Sequence, residues 1–246
     1  MRRDATRTTP PSAGPPAEAR RLYLIRHGEV SHFAADGTAI EPHEARLTGC
    51  GREQARRLGA ELAFAGIDRL LTSALPRANE TAAILAERLG LDPVVEAAWN
   101  ELQPGDLTLV DDEELRGVIV DAHRRADEPG ARFFGGERFA DFADRVQGAL
   151  HRLLDDRSWT TAAAVTHDPV GRFVLARAVG LGLADMRFFE QDQACVNVID
   201  WLQGPAGPEA VIRLVNGTAD DLAKTGPREP ALQRFYRSYT LSRLSP

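Results

Sequence analysis

Arg26-His27-Gly28 ends the apolar run LYLI. A cation, an imidazole and a glycine in succession suit a reactive strand end as well as a solvated turn. Three further points in the chain look alike. The run LLT leads through Ser73-Ala74-Leu75-Pro76 to Arg77 at a helix start; Trp99-Asn100 leads to Glu101; and AAAVTH ends in His167. Two arginines, two histidines and a carboxylate together suit phosphoryl transfer. A histidine nitrogen can attack phosphorus, and covalent capture divides one difficult displacement into two easier ones. Transition-state charge lies on the three equatorial oxygens, so the protein supplies mainly position and positive charge. Arginine meets that demand because its planar fork bonds phosphate oxygens in pairs and stays charged. Expelling an alkoxide needs a proton. A carboxylic acid whose pKa the site raises can supply it, for about 10²–10⁴-fold in rate, and can then activate water. This chemistry needs no metal, and no ligand spacing among the histidines and cysteines indicates one.

Such groups must be delivered to one place. Leu22–Ile25 is a short apolar run typical of a central parallel strand. Ala55, Leu58, Leu62 and Ala65 recur at helical spacing behind Thr48, a suitable N-cap. IDRLLTS reads as a second strand and PRANETAAILAERLG as a second helix, with Gly90 as its stop. PVVEAAW is a third strand candidate. Residues 101–136 are polar, acidic and glycine-containing, with a weak helix near 112–123, and read as an excursion over the sheet's end. RFADFADRVQGALHRLL is the clearest helix, its stripe formed by Phe139, Phe142, Val146, Leu150 and Leu153. TAAAVTH then reads as a strand, DPVGRFVLARAVGLG as a helix, and CVNVIDWL with AVIRLVN as a closing strand pair. Alternating strands and helices imply an α/β fold, a three-layer α/β/α sandwich on a mostly parallel sheet. In such sheets ligands bind beyond the carboxyl ends of the strands, so the four chemical endings should converge on one edge.

Residues 1–20 are rich in Pro, Ala, Thr and Arg without periodicity and read as a disordered arm. The catalytic domain is expected over 21–226, followed by a tail, 227–246, that could dock or stay mobile. A hydrophobic fraction of 43% and a charged fraction of 27% over 246 residues allow a sizeable core. A net charge of −6 argues against nucleic acid or an anionic membrane as partner. Two cysteines make no disulfide framework, and neither a signal peptide nor an apolar span of membrane length is visible. The expected location is cytoplasmic.

Taken in order, RHG, LTGCGREQA, SALPRANETA, the glutamate of NELQPGD, and VTHD resemble the histidine phosphatase superfamily, phosphoglycerate-mutase-like branch. The resemblance runs from Leu22 to about Leu222. It implies a phosphoglycerate-mutase-like fold and assigns His27 as the phosphorylated nucleophile. It places Arg26, Arg77 and His167 around the phosphate and makes Glu101 the general acid and base. Gly28 is expected to let phosphate and backbone come close. The chain departs from its relatives at Val30 and Phe33, where many carry threonine and asparagine, and at Asp168, where glycine is frequent. The glycine-tryptophan-glutamate step after the acid is missing.

Competing readings accompany each assignment. Glu96, Asp106, Asp111 and Asp112 compete with Glu101 for the acid. Asp168 before Pro169 reads first as a helix N-cap and second as a proton donor. Arg124 and Arg125, beside Asp121, Asp127 and Glu128, read as a solvated charge run. His32, His43, His123 and His151 read as structural or exposed, although His32 and His43 could touch substrate. Asn197 and Asn216 are placed near the sheet end without a catalytic role. The expected activity is a metal-independent, cofactor-free phosphatase acting on a small phosphorylated metabolite. The alternatives are a cofactor-dependent phosphoglycerate mutase and a non-catalytic phospholigand-binding protein. An exposed strand of the C-terminal pair could support a homodimer.

Overall fold

The computed structural model describes residues 19–31, 40–204, 207–219, 221, 223–224 and 226–244. The expected arm lies outside them up to residue 18, as do His32 and Phe33. The strands are β1 (Arg20–Arg26), β2 (Arg69–Thr72), β3 (Val94–Val95), β4 (Thr161–Thr166), β5 (Val196–Gly204) and β6 (Gly207–Gly217). The helices are α1 (Gly49–Leu62), α2 (Pro76–Leu89), α3 (Asp112–Val120), α4 (Phe139–Asp155), α5 (Asp168–Ala178) and α6 (Ala231–Leu244).

One sheet has the order β3-β2-β4-β1-β5-β6. The first four run parallel; β5 is antiparallel to β1, and β6 to β5. The two middle strands have helices on both faces and show the apolar runs such burial requires. Side-chain alternation sorts the core into two layers. Leu22, Leu24, Ala162 and Ala164 join the α4–α5 side with Phe139, Phe142, Val146 and Phe173. Ile25, Ala163 and Val165 join the α1–α2 side with Leu58, Leu62, Ala82 and Leu85. The large α4 side chains are almost fully buried, each contributing about 1.5–3 kcal/mol. Alanines in β4 leave room for helices on both faces.

Helix ends follow local chemistry. The Thr48 hydroxyl accepts from the Gly51 amide at 3.0 Å and starts α1. Gly90 closes α2 in the left-handed region at φ 67°. Three local expectations are corrected. β3 is only two residues long, because Glu96 turns the chain, its carboxylate accepting the Ala98 amide at 3.0 Å to open a 3-10 turn at Ala97–Trp99. Residues 101–136 form more than a polar cover: Leu102, Leu107, Leu115, Ile119, Phe133 and Phe134 are buried in the α4–α5 core. Asp168 does not cap α5. His167 holds the cap position, and the Asp168 carboxylate turns to Arg172 one turn along. At the C-terminus, α6 lies against α3, with Leu232, Tyr236 and Tyr239 packed on the same core.

Candidate active site

The carboxyl ends of β1, β4 and β2 lie side by side. Main-chain bonds hold the residues that leave them: the His27 amide donates to Thr166, and the Ser73 amide to Val165, both at 3.0 Å. His27 and His167 are thereby brought together, their ring centroids 5.2 Å apart and nearly edge to face.

The His27 ring is buried, and its two nitrogens have different roles. Nδ1–H donates to the Gly28 carbonyl at 2.8 Å, which fixes the tautomer. Nε2 accepts from Arg77 Nε at 3.1 Å and therefore carries the lone pair. Burial, reinforced by His167, Arg26 and Arg77, pushes the His27 pKa well below the ordinary histidine value. The imidazole is thus neutral and nucleophilic at neutral pH.

Arg77 occupies the first turn of α2, where a cation opposes the helix dipole and a bound anion would relieve it. It is almost fully buried; its NH1 donates to Pro42 at 2.6 Å and its NH2 lies 3.5 Å from Glu101. Arg26 is tethered by a 2.6 Å bond to the Gln191 carbonyl and lies 3.9 Å from Asp168. Ser73 Oγ accepts from the Leu75 amide at 3.3 Å and shares a hydrogen bond with His167 Nε2 at 2.8 Å. His167 Nδ1 faces the Glu101 carboxylate at 3.4 Å, an acceptor that favours the ring proton on Nδ1.

Burial alone would raise the Glu101 carboxyl, but His167, Arg77 and Arg26 hold it down, to about 2. The raised acid pKa expected from sequence is corrected on this point: the positive pocket keeps Glu101 ionised. Three buried polar atoms of this cluster, Arg26 Nε, His167 Nδ1 and Glu101 Oε1, have no hydrogen-bond partner within the described residues. Such atoms are rare in folded proteins and mark a place for a polar ligand. His27, Glu101 and His167 present donor atoms within 4.8 Å of one another and could geometrically hold a metal. The charges of Arg26 and Arg77 both act on His27 and Glu101, so the electrostatics of the cluster favour an anion.

The remaining expected residues fall into place around this cluster. Gly28 answers a packing demand: a Cβ there would meet the Gly51 carbonyl oxygen at 2.5 Å, and its amide is occupied by Thr81 at 3.1 Å. Of the competing carboxylates, Glu96 and Asp106 cap 3-10 turns and Asp111 precedes α3. Asp112 belongs to the first turn of α3. Asn197 is buried and braces Leu24 and Gln191, while Asn216 bonds the Asp192 amide. His123 is buried against Phe133 and Phe139, whereas His43 and His151 are exposed. Arg124 and Arg125 pair with Asp121 and Glu128 at the surface. Val30 bridges to Leu47.

Sequence reasoning gave no role to Ser73, Thr81 or Gln191, which orient His167, the Gly28 turn and Arg26. Ser73 was detectable as the polar residue ending an apolar strand. Gln191 acts on Arg26 through its main chain and leaves no side-chain signal. Among the described residues no helix is long and apolar enough to cross a membrane.

Known proteins share this arrangement of elements. The adenosylcobalamin/alpha-ribazole phosphatase of Escherichia coli (strain K12) is 30% identical over 203 residues, covering 81% of this chain and 97% of its own. The probable phosphoglycerate mutase GpmB of Cronobacter sakazakii is 27% identical over 192 residues, 75% of this chain and 86% of its own. The solved structure of a mycobacterial glucosyl-3-phosphoglycerate phosphatase superposes with a TM-score of 0.68 at 22% identity, over 80% of this chain and 99% of that one, a likeness of fold. The profile of the histidine phosphatase superfamily (branch 1) matches residues 22–211. With the sheet order, the paired histidines and these matches in agreement, the chain belongs to the histidine phosphatase superfamily, branch 1.

Proposed function

We propose that this chain is a metal-independent phosphatase that hydrolyses a small phosphomonoester through a phosphohistidine on His27. The observation that carries this reading is the His27 ring, neutral, with its Nε2 lone pair held by Arg77 where unpartnered atoms of Arg26, His167 and Glu101 converge. The phosphoryl group is bound by Arg26, Arg77 and the Nδ1–H of His167. Nε2 forms a bond to phosphorus as the P–O bond to the leaving group breaks, and the carboxyl proton of Glu101 passes to the leaving oxygen. Water then attacks the phosphohistidine and gives a proton back to Glu101; the N–P bond breaks, Nε2 regains its lone pair, and the Glu101 proton departs with the phosphate as its monoanion. Because the pocket holds Glu101 ionised, the proton for the first step arrives with the substrate: a phosphomonoester monoanion transfers it as its dianion settles among the arginines.

Turnover of p-nitrophenyl phosphate with His27→Ala as control tests the reading. Wild type quenched in alkaline detergent during turnover should carry phosphate that resists base and is released by acid, absent from the variant, which also loses at least ~10³-fold in kcat. Equal turnover by both proteins would overturn it. The GpmB relative supports a second reading, a phosphoglycerate mutase. Isomerisation of 3-phosphoglycerate in excess of phosphate release, with bisphosphoglycerate present, would favour that reading.

A further inference from the structure

Arg145 of α4 stands away from the histidines, yet all five of its N–H donors are engaged, three of them on the segment that carries Glu101. NH1 donates to the carbonyls of Ala98 and Asn100, both at 2.8 Å, and NH2 to the carbonyl of Glu101 itself at 3.0 Å. The remaining donors form a fork on Glu137, Nε to one oxygen at 2.7 Å and NH2 to the other at 2.8 Å. Glu137 extends the grip, its carboxylate accepting the Gln103 amide at 3.0 Å. Its own amide donates to the Gln103 carbonyl at 2.9 Å. The chain is thus held on both sides of Glu101, and Trp99 and Leu102 anchor it in the core. A segment with no regular structure has no ladder of its own to set its position. Here a single guanidinium supplies one. Its charge is neutralised by Glu137, and it touches the Glu101 carbonyl, not the carboxylate. It therefore sets where the acid is, with little leverage over its pKa.

We propose that Arg145, together with Glu137, is a positioning residue for proton transfer by Glu101. This rests on Glu101 being the general acid. An error of about 1 Å in a reacting group can cost about 10²-fold, within what a general acid contributes. Lysine cannot reproduce a five-donor planar fork. The predicted mark of a misplaced acid is selectivity for the leaving group. An alkyl phosphate must have its leaving oxygen protonated, whereas p-nitrophenolate departs without help.

The experiment compares wild type, Arg145→Lys, Glu137→Gln and Glu101→Gln on p-nitrophenyl phosphate and on a simple alkyl phosphomonoester, with melting curves for each. Arg145→Lys should lower kcat/KM, which reports phosphoryl transfer to His27 and not the shared hydrolysis of the phosphohistidine, about 10–100-fold on the alkyl ester and less than about threefold on p-nitrophenyl phosphate. Glu137→Gln should show the same selectivity in weaker form. An equal loss of kcat/KM on both substrates in Arg145→Lys would overturn the proposal, since a purely structural role lowers both together. Should Arg145→Lys fail to fold, Glu137→Gln decides: no selectivity there overturns the proposal equally. If Glu101→Gln itself shows no selectivity, the acid assignment fails, which is a separate result from failure of the clamp.

Discussion

His27 exposes Nε2 because Nδ1–H is bound to the next carbonyl in its own chain, so the tautomer of the proposed nucleophile is set within one residue of the strand that carries it. Glu101 is controlled from outside, by three positive or proton-bearing neighbours that keep it ionised, to about pH 2. An arriving phosphate dianion takes over those neighbours and adds negative charge, both of which raise the carboxyl pKa. Binding of inorganic phosphate at pH 8 should therefore be accompanied by proton uptake. Calorimetry in buffers of different ionisation enthalpy measures this directly, and Glu101→Gln should abolish it. Proton uptake unchanged in that variant would place the proton elsewhere.

Elements place these residues through close contacts that few sequences tolerate. The start of α1 is pressed onto the turn after His27: a Cβ at Gly51 would meet the Glu29 carbonyl oxygen at 2.2 Å and the Glu29 amide at 2.7 Å. Gly51→Ala should cost about 1–3 kcal/mol in denaturant unfolding and lower activity by shifting the turn. Gly49→Ala, with open space around it, should be neutral or stabilising by under about 1 kcal/mol. Strands β1 and β4 and helices α1, α2 and α4 were legible because their apolar periods are long and regular. The packing of residues 101–136 was not, since Leu102, Leu107, Phe133 and Phe134 enter the core at irregular intervals. Asp168 followed by Pro169 is a local signal for a cap, and it lost to Arg172, a partner one turn ahead on the same helix face. Arg26, His27 and His167 were legible from strand ends and Arg77 from a helix start, whereas Glu101 lies beyond a 3-10 turn and not at the end of β3. The clamp on Glu101 was invisible, because Arg145 acts on main-chain oxygens that any residue would present.

At the scale of the whole molecule, an acidic chain of net charge −6 buries several basic groups, and its stability reflects them. Burial lowers the pKa values of His27, His123 and His167, that of His123 to about 4. Unfolded, these imidazoles bind protons as pH falls through about 6.5; folded, they resist until lower pH. Between those limits the unfolded chain holds more protons, so lowering the pH destabilises the fold by up to about 1.4 kcal/mol per unit for each histidine. Glu101, depressed from its ordinary value, adds a loss of the same sign below about pH 4.5. Melting temperatures should fall steadily from pH 7 to pH 4, and His123→Phe, which retains the aromatic packing with Phe133 and Phe139, should flatten part of that decline. A decline unchanged in that variant would remove His123 from the account.

The rings of His27 and His167 follow neighbouring, hydrogen-bonded strands, so their separation is inherited from the repeat of the sheet, about 4.8 Å. The backbone is in effect a gauge cut to the width of one phosphoryl group. Nothing in that gauge measures the rest of the molecule attached to the phosphate. Changes of substrate in this fold can therefore accumulate in the segments between strands and leave the reacting centre at its original dimension.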